Sequence, residues 1–157
     1  MKSLAVLILA MLATMPTARA ALEPVVVSAR PNTELDRTAR AIVADELAQA
    51  SARGDAPLVL IGEARLGAAR DSLALFIQLQ SARECGSAGC STSVYVLRHK
   101  TWKRVLDAVG GAIKVDSRRH GGMRDLVVGG DGRWIWTGSA YRDTSPAANP
   151  HLRRHGA

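Results

Sequence analysis

The only two cysteines of this 157-residue chain lie five positions apart, in "RECGSAGCSTSVYVL" (Arg83 to Leu97). Three chemistries use such a pair: a reactive thiol, a metal clip and a disulfide staple. A helix N-terminus lowers a reactive thiol's pKa, but the runs on both sides of Cys85 and Cys90 read as strands. A zinc clip needs two more ligands. Of His99, His120, His151 and His155, only the last two have a short H-x3-H spacing, and they follow prolines in a stretch without apolar periodicity. The staple remains. Gly86 and Gly89 flank Ser87 and Ala88 and permit the positive φ of a tight turn. Cys85 and Cys90 would then face each other across a hairpin mouth, and closing so short a loop stabilises by roughly 2 kcal/mol on a chain-entropy estimate.

Other chemistries find less support. H-E-x-x-H, P-loop and G-x-G-x-x-G patterns are absent. "CGSAG" puts Cys85 where a nucleophile elbow has its first glycine, and no helical pattern follows Ser87. Glu63, Asp71, Glu84 and Asp125 are scattered acids that read as solvated, and His120 reads as a turn residue beside Arg118 and Arg119. The sequence thus nominates no catalytic residue, no metal ligand set and no cofactor. Trp134 and Trp136 share one face of a strand, with Ile135 on the other. They are either core or, beside Arg133 and Lys103, a surface that stacks on a sugar or anchors a protein.

These residues need elements to position them. Lys2, the apolar run Leu4 to Leu12 and "ARA" (Ala18 to Ala20) form the pattern of a secretory signal peptide over residues 1–20. Export places the cysteines in an oxidising compartment, which favours the Cys85–Cys90 bridge. The apolar run is too short to span a bilayer, so the chain is read as periplasmic or secreted and not as an integral membrane protein. Residues 21–144 form one expected domain, and 145–157 an expected disordered tail.

Within the domain, a helix is predicted from Thr33 to Arg53. Thr33 and Asp36 form a capping box, Leu35, Ala39, Ile42, Val43, Leu47 and Ala50 an apolar face, and Gly54 a C-cap. Short apolar or alternating runs follow: "PLVLIG", "SLALFIQLQ", "STSVYVLRH", "WKRVL", "AIKVD", "RDLVVG" and "RWIWTGSAY". Gly110–Gly111, "SRRHGG" and "GGDG" read as hairpin turns between them. The expected fold class is α+β: one N-terminal helix packed on an antiparallel meander sheet of about six to seven strands.

The formal charge is +7. Lys2 and Arg19 fall in the leader, leaving +5 for the rest. Residues 21–95 carry seven basic and nine acidic side chains, whereas residues 96–157 carry twelve and five. A basic C-terminal half (Lys100, Lys103, Arg104, Arg118, Arg119, Arg133) suits an anionic envelope polymer. No nucleic-acid motif is present, and export argues against nucleic acid as a partner.

Export, domain size, helix-then-sheet order and the C-x4-C turn followed by a hydrophobic strand together resemble the inhibitor-of-vertebrate-lysozyme family. That resemblance implies a small periplasmic α+β protein whose disulfide loop projects into a hydrolase's active cleft. The family's loop carries polar and histidine side chains, whereas this one has Gly86, Ser87, Ala88 and Gly89. What transfers is a rigid presented loop, flanked by Arg83 and Glu84. The expected function is an exported, non-enzymatic protein that binds a protein partner in or outside the envelope, as an inhibitor or immunity protein.

Overall fold

In a computed structural model the described residues are 21–68, 72–87 and 89–145. The expected signal peptide, all but the first residue of the expected tail, and Ala88 lie outside them. Two helices and ten strands form three layers. This corrects the expected single sheet under one helix: among the described residues there are two antiparallel sheets of five strands each, and just over half of those residues are strand.

The helical segment begins where the cap predicts. Thr33 is extended, and its Oγ1 accepts from the backbone N–H of Asp36 at 3.1 Å. The Asp36 carboxylate does not complete the box; it accepts instead from Arg40 Nε, one turn on. The helix is also divided, into α1 (Glu34–Ile42) and α2 (Ala44–Ala52). The break falls at Val43, whose φ of −104° and ψ of 27° leave the helical range. Ile42 and Val43 are adjacent β-branched residues, which crowd the preceding turn. The i→i−4 bonds Val43 to Ala39 and Leu47 to Val43 persist across it, so both halves lie on the same sheet. Gly54 terminates α2 at a φ of +71°.

The central sheet comprises β2 (Leu58–Arg65), β3 (Leu73–Gln80), β4 (Cys85–Gly86), β5 (Gly89–Arg98) and β6 (Thr101–Gly110), with β5 pairing β3, β4 and β6. Its middle strands, β3 and β5, bury side chains on both faces. Leu75, Ile77, Val59, Ile61 and Tyr95 pack with Ala39 and Val43 of the helical layer. Ala74, Phe76, Val94 and Val96 point the other way and need a second cover. That cover is the outer sheet: β1 (Leu22–Pro24), β7 (Ile113–His120), β8 (Met123–Val128), β9 (Gly132–Trp136) and β10 (Tyr141–Asp143), in the order β1-β7-β8-β9-β10. One helical layer can bury only one face of a sheet, so the apolar second face of β3 and β5 draws the C-terminal strands over it.

Two glycine positions make this possible. Gly110–Gly111 is not a hairpin turn but the corner where the chain leaves the central sheet for the outer one. Gly111 has a φ of +92°, and a Cβ there would sit 3.0 Å from Gly129 Cα. At the opposite edge, residues 25–28 strap the two sheets together. Val25 N–H donates to Ile113 O in the outer sheet, and Ser28 exchanges two backbone bonds with Ile61 in the central one. The strap passes so close to Gly62 that a Cβ would lie 2.8 Å from Val25 Cγ1 and 3.0 Å from Val26 O. No helix among the described residues is long and apolar enough to cross a membrane.

Candidate functional site

The disulfide forms between Cys85 and Cys90. It closes the tip of the β3–β5 hairpin, where Cys85 pairs with Cys90 and Gly86 with Gly89. Gly89 takes the left-handed φ, +92°, that its type permits. Arg83, Gly86, Ser87 and Gly89 are exposed, and a Cβ added at Gly86 or Gly89 would meet nothing within 4 Å. The tip therefore projects.

Its base is anchored. Ser81 Oγ donates to Asp55 Oδ2 at 2.7 Å and accepts from the backbone N–H groups of Arg83 and Glu84. Glu84 Oε1 accepts from Arg53 NH2 at 3.1 Å, tying the hairpin to the end of α2. A short covalent ring on a hydrogen-bonded base has little conformational entropy left to lose on binding.

The hairpin stands between two clefts of opposite character. Toward the helices, a cleft of about 250 Å³ includes Glu84 and Ser91 from the hairpin with Glu46, Tyr95, Arg104 and Asp107. Arg104 pairs with Glu46 and Asp107 and lies over the Tyr95 ring, 5.4 Å from its centroid. Burial raises the Tyr95 phenol above its ordinary value, against the opposing pull of Arg104. Toward the outer sheet, a cleft of about 330 Å³ opens between the sheets and includes Gly89 and Cys90.

The remaining sequence-nominated residues lie elsewhere. Trp136 is buried in the inter-sheet core, edge-on to Tyr141 with ring centroids 5.5 Å apart, and Trp134 packs against the same core. Lys103 is exposed on β6, opposite Val96. Arg133 is on β9 in the outer sheet and belongs to a cluster that the sequence reading missed.

That cluster holds two carboxylates with no solvent exposure, Asp116 and Asp125. Arg133 bridges them, donating to Asp125 Oδ2 at 3.0 Å and Asp116 Oδ2 at 3.3 Å. Arg118 closes over Asp116 with its backbone N–H and its guanidinium, at 3.1 and 3.0 Å. His120 Nδ1 lies 2.6 Å from Asp125 Oδ1. Burial opposes ionisation of Asp116, but the Arg118 N–H and guanidinium, with Arg133, more than offset it and hold its pKa below the ordinary carboxylate value. Asp125 is thus not a solvated acid, and Arg118 to His120 belong to β7 rather than to a turn. The cluster ties β7, β8 and β9 together, which makes it a structural lattice. The available signal was an acid inside each of two apolar strands, "AIKVD" and "RDLVVG".

No protein-family model matches this chain, and no curated protein or solved structure matches it at a significant level. The functional reading therefore rests on the residues and their geometry.

Proposed function

We propose that the chain is an exported binding protein that inhibits an envelope hydrolase, presenting the Cys85–Cys90 hairpin to its partner. The observation that carries this reading is the hairpin itself: a covalently closed, exposed tip on an anchored base, rising from strands β3 and β5 that bury side chains on both faces. Arg83, Glu84, Gly86, Ser87, Ala88 and Gly89 are the contact residues of this reading. With so few functional side chains, recognition would rely on backbone shape and on the flanking charges. Glycines let a partner's backbone approach closely. The leader-like residues 1–20 and the oxidised cysteine pair support export. Photo-cross-linking from position 87 to peptidoglycan hydrolases tests the contact. A cross-link to one hydrolase that is lost when unlabelled protein competes is expected; labelling without such competition would contradict it.

A second reading, docking on an anionic envelope polymer, draws on the partition of charge between layers. The helices carry Glu34, Asp36, Asp45 and Glu46 against Arg37 and Arg40. The outer-sheet strands carry six basic residues, Lys114, Arg118, Arg119, Arg124, Arg133 and Arg142, against Glu23, Asp116, Asp125 and Asp143. Several of these cations already hold carboxylates: Arg118 and Arg133 on the buried acids, and Arg124 on Glu23. Lys103 and Arg104 belong to the central sheet, so the basic half does not form one patch. Retention on a polyanion that falls steeply between low and physiological salt would favour this reading; salt-insensitive retention would count against it.

A further inference from the structure

We propose that the mouth between the two sheets, beside the stapled hairpin, binds a neutral aliphatic chain of medium length that carries one hydroxyl or amide group. The cleft holds about 330 Å³ and none of its lining residues is charged, although 22% of the chain is charged. Its apolar walls are Val25 and Val27 of the strap, Phe76 and Ile113, and Phe76 is fully buried at its floor. Water occupies about 30 Å³ per molecule in the liquid, so this volume suits a chain of roughly eight to twelve heavy atoms. It falls at the small end of ligand pockets, and its composition, apolar walls with a few fixed polar groups, is theirs.

The polar groups set the ligand's head. Gln78 Nε2 donates to Cys90 O at 3.1 Å and to Thr92 Oγ1 at 3.2 Å. A carbonyl can only accept, so the Cys90 contact fixes which way the Gln78 amide points. Gln78 Oε1 has no partner among the described residues and is left as an acceptor. The Thr92 hydroxyl, which accepts from Gln78, retains its own proton to donate. An alcohol or primary amide can donate to the first and accept from the second. A carboxylate can accept from Thr92 but has nothing to donate to Gln78 Oε1, and no cation in the lining would neutralise it.

Two other occupants fit less well. An extended peptide would need a free strand edge to pair with. At this mouth the strap already bonds to Ile113 on one side and Ile61 on the other. A charged polymer would meet a lining with no charge to match.

The test is an amide NMR titration of the protein with 1-octanol and, separately, with octanoate. Octanol is expected to produce saturable shifts at Gln78, Thr92, Gly111 and Ile113, and octanoate to bind at least tenfold more weakly. Ala112→Leu, at an exposed position on the rim, should weaken octanol at least tenfold while leaving the rest of the spectrum in place. If that variant does not fold, Gln78→Leu should remove the preference for octanol over octanoate. Several outcomes overturn the proposal: no saturation, shifts confined to the Glu46–Arg104 cleft, tighter binding of octanoate, or undiminished binding by the variant. So would self-association that occupies the mouth and leaves octanol without effect.

Discussion

At the scale of single residues, the least expected feature is that Asp116 and Asp125 are sealed beneath Arg118, Arg133 and His120. Removing one partner of a buried ion pair leaves the other charge uncompensated, typically at a cost of about 3–5 kcal/mol. Arg133 serves two buried carboxylates at once. Arg133→Ala is therefore expected to lower unfolding stability by about 3 kcal/mol or more, measured by urea denaturation. A loss below about 1 kcal/mol, the range of exposed pairs, would show that the lattice carries little. The pH dependence follows from Asp116, whose folded pKa is depressed. Its contribution is fully present above the unfolded value of about 3.9 and is lost as pH falls through the lower folded value. Stability measured from pH 6 downward should fall steeply below about pH 4, and Asp116→Asn should flatten that limb while lowering the plateau. The burial of these acids is not legible in the sequence, because an in-strand Asp looks the same whether it faces water or an arginine of its own or another strand.

At the scale of elements, local chemistry was the most legible part. The Thr33 cap, the Gly54 terminus and the Cys85–Cys90 staple all follow from nearest-neighbour rules, and all three are present. The division of the helix at Val43 and the conversion of Gly110–Gly111 from turn to corner were not legible. Both depend on what lies across the core, and a glycine pair reads the same in either role. Gly62 is a similar case: inside "PLVLIG" it looks like the end of a strand, yet it is mid-strand and permits the strap to approach. Gly62→Ala should destabilise by about 1–3 kcal/mol, the usual cost of overpacking, and raise hydrogen exchange at the Ser28 and Ile61 amides. Unchanged exchange there would mean that the strap is not held by this contact.

At the scale of the whole molecule, the sequence conveys the run of antiparallel strands after the helical segment, but neither the strand β1 before it nor the second sheet. The alternation in "SLALFIQLQ" marks one face with Leu73, Leu75, Ile77 and Leu79, while Gln78 and Gln80 on the other face read as partial exposure. Ala74 and Phe76 on that face are fully buried, because the strands after Gly111 fold over them instead of extending the same sheet. Phe76→Ala should therefore cost about 3–5 kcal/mol, as for a core aromatic, in thermal or urea unfolding. A cost near 1 kcal/mol would fit a half-exposed position and argue against the second sheet as its cover.

The same layering leaves the stapled hairpin projecting from a rigid edge, and this is the basis of the proposed inhibitory role. The most direct test is inhibition of the cross-linked hydrolase by the wild-type protein and by a Cys85→Ser/Cys90→Ser double variant. Opening the staple removes roughly 2 kcal/mol of loop constraint, so the variant should keep its near-ultraviolet circular dichroism and inhibit at least tenfold more weakly. Equal inhibition by a folded double variant would contradict a role for the closed hairpin in binding.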